Sequence, residues 1–410
     1  MRALAINSER LWERLMEMAL IGATPRGGVC RLAASAEDGA GRDLLSSWCR
    51  AEGLEVRVDR VGNMFGRRQG RLQEQPPIMI GSHLDTQPTG GKFDGAYGVL
   101  AALEVVQTLN EAGIGTDCPI DLVNWTNEEG CRFQPSCIGS EVFAGGMSEE
   151  DALARQDRDG VRLADALKAI GYLGDCAPAA PSALAYLEGH IEQGPILEEQ
   201  KLQVGIVEGG MGVNAYEVTL TGIEAHTGST PVERRRDALL AAAGIVTGVY
   251  ELAKEYEPNG RATVAQLNIS PNVRSVVAGR VVLTSDCRHR DAATLERMNT
   301  TLREIIEREA HKRCVRVDIA PYWSLPAQAF DRNCVSAVEK AAHEIGVSYR
   351  RMYSGAAHDA VAIARVVPTA MIFVPSKDGL SHNEAEYTSP ADIAAGANVL
   401  LHAVLAIANS

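Results

Sequence analysis

Five residues able to bind a metal ion stand in Gly-containing loops at or just after the ends of apolar runs: His83, Asp94, Glu129, His190 and His382. A sixth residue, Glu128, lies directly beside Glu129. Mixed imidazole and carboxylate donors suit zinc, manganese, cobalt or nickel and require no thiolate. Two such ions, about 3.5–4 Å apart, need a shared ligand and can together deprotonate one water near neutral pH. Asp94 has the chemistry for that bridge. Neighbours in an extended segment point to opposite sides, so Glu129 can face a metal while Glu128 faces the reacting water as general base. Each residue alone has a plainer reading: His83 with Asp94 as a buried hydrogen-bonded pair, Glu128 with Glu129 as a solvated pair. Taken together, the set points to metal-assisted hydrolysis.

The elements that must position these residues follow from hydrophobic periodicity. Pro77–Ile80 reads as a buried strand leading into His83, and Leu100, Leu103, Val106 and Leu109 mark a helix over 99–109. A strand over 121–126 ends at Glu128-Glu129, another begins at Ala185 and ends near His190, and a third spans 369–374 before His382. Strand ends opening into Gly-rich loops are where open α/β sheets place their ligand sites. The N-terminal part reads as helices over about 8–23 and 40–53, then a strand over 54–61 with a hairpin partner. Residues 148–183 read as polar and helical, with a Pro/Ala-rich loop at 177–181. From Gly212 the pattern becomes strand, helix, strand, strand, helix, strand to about 325, the ferredoxin-like order. After it come a helix over 333–345, a loop at 354–358 and a closing apolar helix. The expected fold is therefore α/β: a large domain with a mixed central sheet from 1–211 and 326–410, and an inserted α+β domain over 212–325.

Composition narrows the class of protein. At 410 residues, 46% hydrophobic and 23% charged, the chain is long enough for two cores and reads as soluble and globular. A net charge of −13 with no basic block argues against nucleic acid as a partner. The nine cysteines are scattered and lack CxxC spacing, which predicts reduced thiols in a cytoplasmic protein. The N-terminal segment, with Glu9, Glu13 and Glu17 at helical spacing, reads as an amphipathic helix and not a signal peptide. The apolar C-terminal stretch, interrupted by Asp392, Asn398 and His402, reads as a packed helix and not a membrane span.

The motifs GSHLDT (81–86), FDG (93–95), NWTNEEG (124–130), GHIEQGP (189–195), EAHTG (224–228) and GLSHNEAEYT (379–388) occur in the order seen in the M20 family of dinuclear metallohydrolases. The chain resembles that family, and within it the N-carbamoyl-L-amino-acid hydrolase branch, which includes β-ureidopropionases and allantoate amidohydrolases. The resemblance implies two divalent ions held by His83, Asp94, Glu129, His190 and His382, with Asp94 bridging. It implies metal-bound hydroxide as nucleophile, Glu128 as the catalytic base and Asp85 as the residue orienting His83. It further implies that the inserted domain covers the site and forms a homodimer interface. His226 would reach the carbamoyl oxygen from the partner subunit. Arg288 would grip the substrate carboxylate, and Gln193 and His358 would contact substrate. Where the family usually has Asn, thirteen residues before Arg288, this chain has Ser275, which leaves a shorter donor at the carboxylate end. The loops 87–93 and 135–140 look more like those of carbamoylases and β-ureidopropionases than of allantoate hydrolases. The implied reaction is cleavage of the carbamoyl C–N bond of an N-carbamoyl-L-amino acid, giving the amino acid, carbon dioxide and ammonia. Allantoate, a β-ureido acid or an N-acyl or conjugated amino acid would be the alternative substrates.

Overall fold

The computed structural model describes residues 4–72, 74–177 and 182–409, so of the loop expected at 177–181 only Ala177 lies among the described residues. The chain divides into two compact units, one of residues 1–209 with 329–410 and one of residues 210–328.

The large unit is built on a nine-stranded mixed sheet. Its parallel centre consists of Ile120–Trp125, Ile78–His83, Ala185–Ile191 and Thr369–Val374, side by side in that order. Every residue of these four strands is buried, which is why they read as apolar runs instead of alternating patterns. Antiparallel strands flank the centre: Met64–Arg68 and then Glu55–Val58 on one side, Val204–Gly210 on the other. Because His83 pairs with Trp125 and His190 with Phe373, the carboxyl ends of the central strands finish along one edge. His83 and His190 lie at the ends of their strands on that edge, and the loops leaving it carry Glu128 and His382.

Helix Ala96–Glu111 follows directly on the Asp94 loop and packs on this sheet. It begins earlier than its apolar spacing predicted. Gly98 makes the close approach possible: a β-carbon there would lie 2.2 Å from the Gly189 carbonyl oxygen. Helix Pro390–Ala408 is long and apolar enough to cross a membrane by length and composition. Here its Ile393, Val399, Leu400, Leu401 and Val404 are buried in the core, and it packs on helices Ala96–Glu111, Arg332–Ile345 and Ser8–Met18.

Three N-terminal boundaries differ from expectation for local reasons. The first helix stops at Met18 because the chain turns back through Gly22, at φ 83°, to bring Ala23 opposite Val29. The second starts at Ala36, where Ser35 caps the N–H of Asp38. The first strand stops at Val58 because Asp59 Oδ1 accepts the N–H groups of Val61 and Asn63 and closes a turn. The polar stretch after 148 holds two short helices, Glu149–Ala154 and Leu163–Ala169. All nine cysteines are free thiols.

The small unit has strands Gly212–Thr221, Gly260–Ser270, Arg280–His289 and Arg316–Leu325 in one antiparallel sheet, ordered fourth, first, third, second. Helices Ala238–Tyr256 and Ala292–Lys312, capped by Asp237 and Asp291, pack on it. Val218, Leu220, Ile245, Val249, Leu283, Met298, Leu302 and Ile306 give it a core of its own. This is the ferredoxin-like arrangement.

Candidate metal centre

His83 and His190 reach the sheet edge from adjacent strands and turn the same nitrogen toward the same carboxylate. His83 Nδ1 lies 2.9 Å from the carbonyl oxygen of Asp85, and His190 Nδ1 lies 2.9 Å from that of Ile191. A carbonyl only accepts, so in each ring Nδ1 carries a hydrogen, and Nε2 is the nitrogen that presents a lone pair once it gives up its proton. Both Nε2 atoms are buried and have no hydrogen-bond partner. They face Asp94 Oδ1, at 3.1 Å from His190 and 3.7 Å from His83. Two lone pairs aimed at an anionic oxygen need a positive charge between them. The donors His83, Asp94 and His190 lie close enough together to hold one ion.

The other oxygen of Asp94 faces a second group. His382 Nε2 is 3.4 Å from Asp94 Oδ2 and 3.4 Å from Glu129 Oε2, and these three residues form another set able to hold a cation. Asp94 thus offers one oxygen to each set, as a bridging carboxylate must. Gln87 Nε2 donates to Glu129 Oε2 at 2.7 Å, and Gln193 Nε2 and Ser381 Oγ donate to Asp94 Oδ2 at 2.8 Å each. His382 sits at φ 53° and is the only half-exposed member, with 49% of its side chain accessible.

The electrostatics agree with a site built for cations. Burial lowers His83 to about 4 despite the pull of Asp94. At His190, burial is outweighed by the Asp94 carboxylate, and the ring rises to about 9; at His382, Asp94 is the leading cause of a rise to about 9. Against the cost of burial, His190 and His382 hold the Asp94 carboxyl well below the usual range. Burial and Asp94 push Glu129 up to about 8. Burial, then the charges of Asp359, Glu129 and Asp94, hold the Glu128 carboxyl well above its ordinary value. Such crowding of buried carboxylates is stable when positive ions share the space.

Glu128 Oε2 lies 3.5 Å from His83 Nε2, on the same side as the first set. Asp85 holds both glutamates by their backbones: its Oδ1 accepts the N–H of Glu128 and its Oδ2 that of Glu129, each at 3.2 Å. Asp85 meets His83 mainly through its own carbonyl, its carboxylate standing 3.9 Å from Nδ1.

Residues 79–406 match the family described as peptidase family M20/M25/M40. The chain belongs to this family. It is 48% identical over 404 residues to an N-carbamoyl-L-amino-acid amidohydrolase of Rhizobium meliloti, covering 98% of this chain and 96% of that protein. A crystal structure of a hydantoinase/carbamoylase family amidase from Burkholderia multivorans superposes with a TM-score of 0.95 at 48% identity, covering 100% of this chain and 99% of that one. An allantoate amidohydrolase of Escherichia coli is 35% identical, with 95% of each chain covered. The protein is therefore an amidohydrolase of the hydantoinase/carbamoylase branch of M20.

Other residues singled out in the amidohydrolase's sequence are placed as follows. Gln193, at φ 57°, joins the second set through its amide nitrogen, while its Oε1 is buried without a partner. His358 is buried behind the first set, its ring 4.5 Å from that of His190 and its Nε2 2.8 Å from Ser354 Oγ. Burial, with His190 beside it, keeps His358 neutral, well below its usual range. In the small unit, His226 is exposed and its Nδ1 accepts the N–H groups of Gly228 at 3.1 Å and Ser229 at 3.0 Å. That fixes the hydrogen on Nε2 and makes the outer nitrogen a donor. The short ladder of Ala225–His226 with Val276–Val277 brings Ser275 alongside, its carbonyl accepting the N–H of Thr227 at 3.1 Å. Ser275 has φ 66°, a left-handed conformation that Asn adopts far more readily than Ser. Arg288 lies on Arg280–His289 with Asp286 Oδ2 3.3 Å away.

Sequence reasoning missed Gln87, Ser381 and Glu386 in this M20 centre. Glu386 and Ser381 lie inside the quoted GLSHNEAEYT motif, and Gln87 follows GSHLDT directly, so proximity to a ligand was the available signal.

Proposed function

We propose that this protein hydrolyses the carbamoyl C–N bond of N-carbamoyl-L-amino acids, using two divalent ions held by His83, Asp94, Glu129, His190 and His382. The observation that carries the reading is the division of Asp94, one oxygen toward His83 and His190 and the other toward His382. The substrate class is supported by the 48% identity to the Rhizobium enzyme over nearly the full chain. Divalent ions bound there would supply Lewis acidity, polarising the carbamoyl oxygen and acidifying a water.

The chain's own groups then have defined tasks. Glu128 takes the proton from the attacking water on a carboxylate oxygen and delivers it to the departing nitrogen. Its backbone anchorage on Asp85 and its buried position keep that oxygen aimed and dry. The unpartnered Gln193 Oε1 is an acceptor for a ureido N–H. His226, with its hydrogen on Nε2, donates to the developing oxyanion, contributed from the partner subunit of a homodimer. Arg288 forks the substrate carboxylate, Ser275 adds a short donor at that end, and His358, beside His190, contacts substrate. In this reading the 210–328 unit serves as lid and dimerisation domain.

The test is release of amino acid and ammonia together from a panel of N-carbamoyl-L- and D-amino acids, β-ureidopropionate, allantoate and N-acyl-amino acids. Metal-dependent turnover confined to the L-carbamoyl set is the expected result. Turnover of allantoate alone, the reading the 35% identical relative favours, would replace it. Amino acid without ammonia would move the protein to N-acyl or conjugate hydrolysis.

A further inference from the structure

The two cation sets differ in how they are held. His83 and His190 are buried and end neighbouring strands of the central sheet. His382 instead comes from the 375–389 loop, has a left-handed backbone and is half exposed. An exposed side chain on a strained loop needs an anchor to meet its partners at ligating distance.

That anchor is Glu386, which is 4% exposed and four residues beyond His382. Its Oε1 accepts the backbone N–H of Phe93 at 3.0 Å and of Asp94 at 3.1 Å. Its Oε2 lies 3.0 Å from Ser381 Oγ, and that hydroxyl is also 2.8 Å from Asp94 Oδ2. The Glu386 carboxyl group therefore holds the backbone of the Asp94 loop through Oε1 and stands against the Ser381 hydroxyl, whose single hydrogen Asp94 Oδ2 and Glu386 Oε2 share. The seat is tight: a β-carbon on Gly91 would fall 2.1 Å from Glu386 Oε1. A second carboxylate, Glu384, ties the outer side of the same loop to Thr24 at 2.6 Å and to Arg26.

We propose that Glu386, acting with Ser381, is a positioning residue that docks the His382 loop onto the Asp94 loop. It thereby assembles the His382–Asp94–Glu129 cation position without shaping the His83–Asp94–His190 position to the same degree. The inference rests on the dinuclear reading of the site and assigns the affinity of its second half to a residue that binds no ion.

The experiment is titration of chelator-stripped, full-length protein with manganese, read as stoichiometry and affinity by calorimetry. Amide hydrogen exchange of the ion-free protein at Phe93 and Asp94 is measured alongside. Wild type is expected to take up two ions. Glu386→Ala is expected to keep one site at near wild-type affinity, to weaken the other roughly 10- to 100-fold as loss of an outer partner does, and to speed exchange at both amides. Glu386→Gln keeps an acceptor for those amides, so it is expected to retain their protection and most of the second affinity; it also carries the test if the alanine variant does not fold. Faster exchange with both affinities unchanged, or parallel weakening of both sites, would overturn the positioning role while leaving the dinuclear site intact. Wild-type uptake of fewer than two ions would overturn the dinuclear reading and this inference with it.

Discussion

Between Gly95 and His83 there is no room for a methyl group: a β-carbon on Gly95 would lie 2.4 Å from both Cε1 and Nδ1 of the imidazole. Gly95 also sits at φ 63°, a region costly for a side chain, and it is the residue before helix Ala96–Glu111. Gly95→Ala is expected to displace the His83 ring from its bond to the Asp85 carbonyl. Thermal unfolding of the ion-free protein should show a loss of about 1–3 kcal/mol, and the stabilisation expected from manganese in wild type should shrink. An unchanged manganese-induced shift would mean that His83 is not a ligand.

Glu128 is the group whose loss should separate binding from chemistry. Glu128→Gln keeps shape and the backbone bond to Asp85 but cannot accept the water's proton. Turnover is expected to fall by roughly 10²-fold or more, with manganese stoichiometry and circular dichroism unchanged. Turnover at the wild-type rate would remove Glu128 from the mechanism.

His226 tests whether the small unit takes part in catalysis. Its Nδ1 is occupied by two backbone amides, so only Nε2 remains to act. His226→Ala is expected to lower kcat by about 10²–10³-fold, the usual cost of an oxyanion donor, with manganese uptake intact. A change in KM alone would reassign His226 to simple substrate binding.

Cation uptake should be steeply pH-dependent. In the ion-free protein, His190 and His382 are raised from 6.5 to about 9 and Glu129 from 4.5 to about 8. Near pH 7 these groups hold protons that an ion must displace. Manganese affinity should therefore climb with pH and level off above about 9, and calorimetry in buffers of different ionisation heat should register proton release. The ion-free protein behaves in the opposite sense. Folded-state values above the unfolded ones add stability that is full below the unfolded pKa values and is lost as pH rises through about 8 to 9. Affinity that is flat between pH 6 and 9 would contradict this assignment.

The central strands were legible because burial on both faces leaves uninterrupted apolar runs, as in Thr369–Val374, which was read to the residue. The small unit was legible from the alternation of strand and helix periods. Val204–Gly210 and Tyr349–Ser354 were not, since one ends in glycines and the other carries Arg350, Arg351 and Ser354, so neither shows a clear apolar period. At the site, donor types at strand ends singled out the five metal-ligand candidates and Glu128, whereas Asp85, Gln193, His226, Ser275, Arg288 and His358 came from the family resemblance. The partners of those residues were hidden because they act across long separations: Glu386 reaches back to Phe93, and Gln87 forward to Glu129. No local pattern encodes such pairs.

The strand Thr369–Val374 lies between Ala185–Ile191 and Val204–Gly210, though the whole 210–328 unit intervenes in the chain. During synthesis the small unit can leave the ribosome complete and fold on its local pairings while the larger sheet still lacks an interior strand. The gap exposes the fully buried edge of Ala185–Ile191 until the last segment arrives, a contact of long sequence separation and hence slow closure. His382 emerges later still, so the His382–Asp94–Glu129 set is among the last features the nascent chain completes. Metal supplied during translation would then reward completion of the sheet and not its early stages.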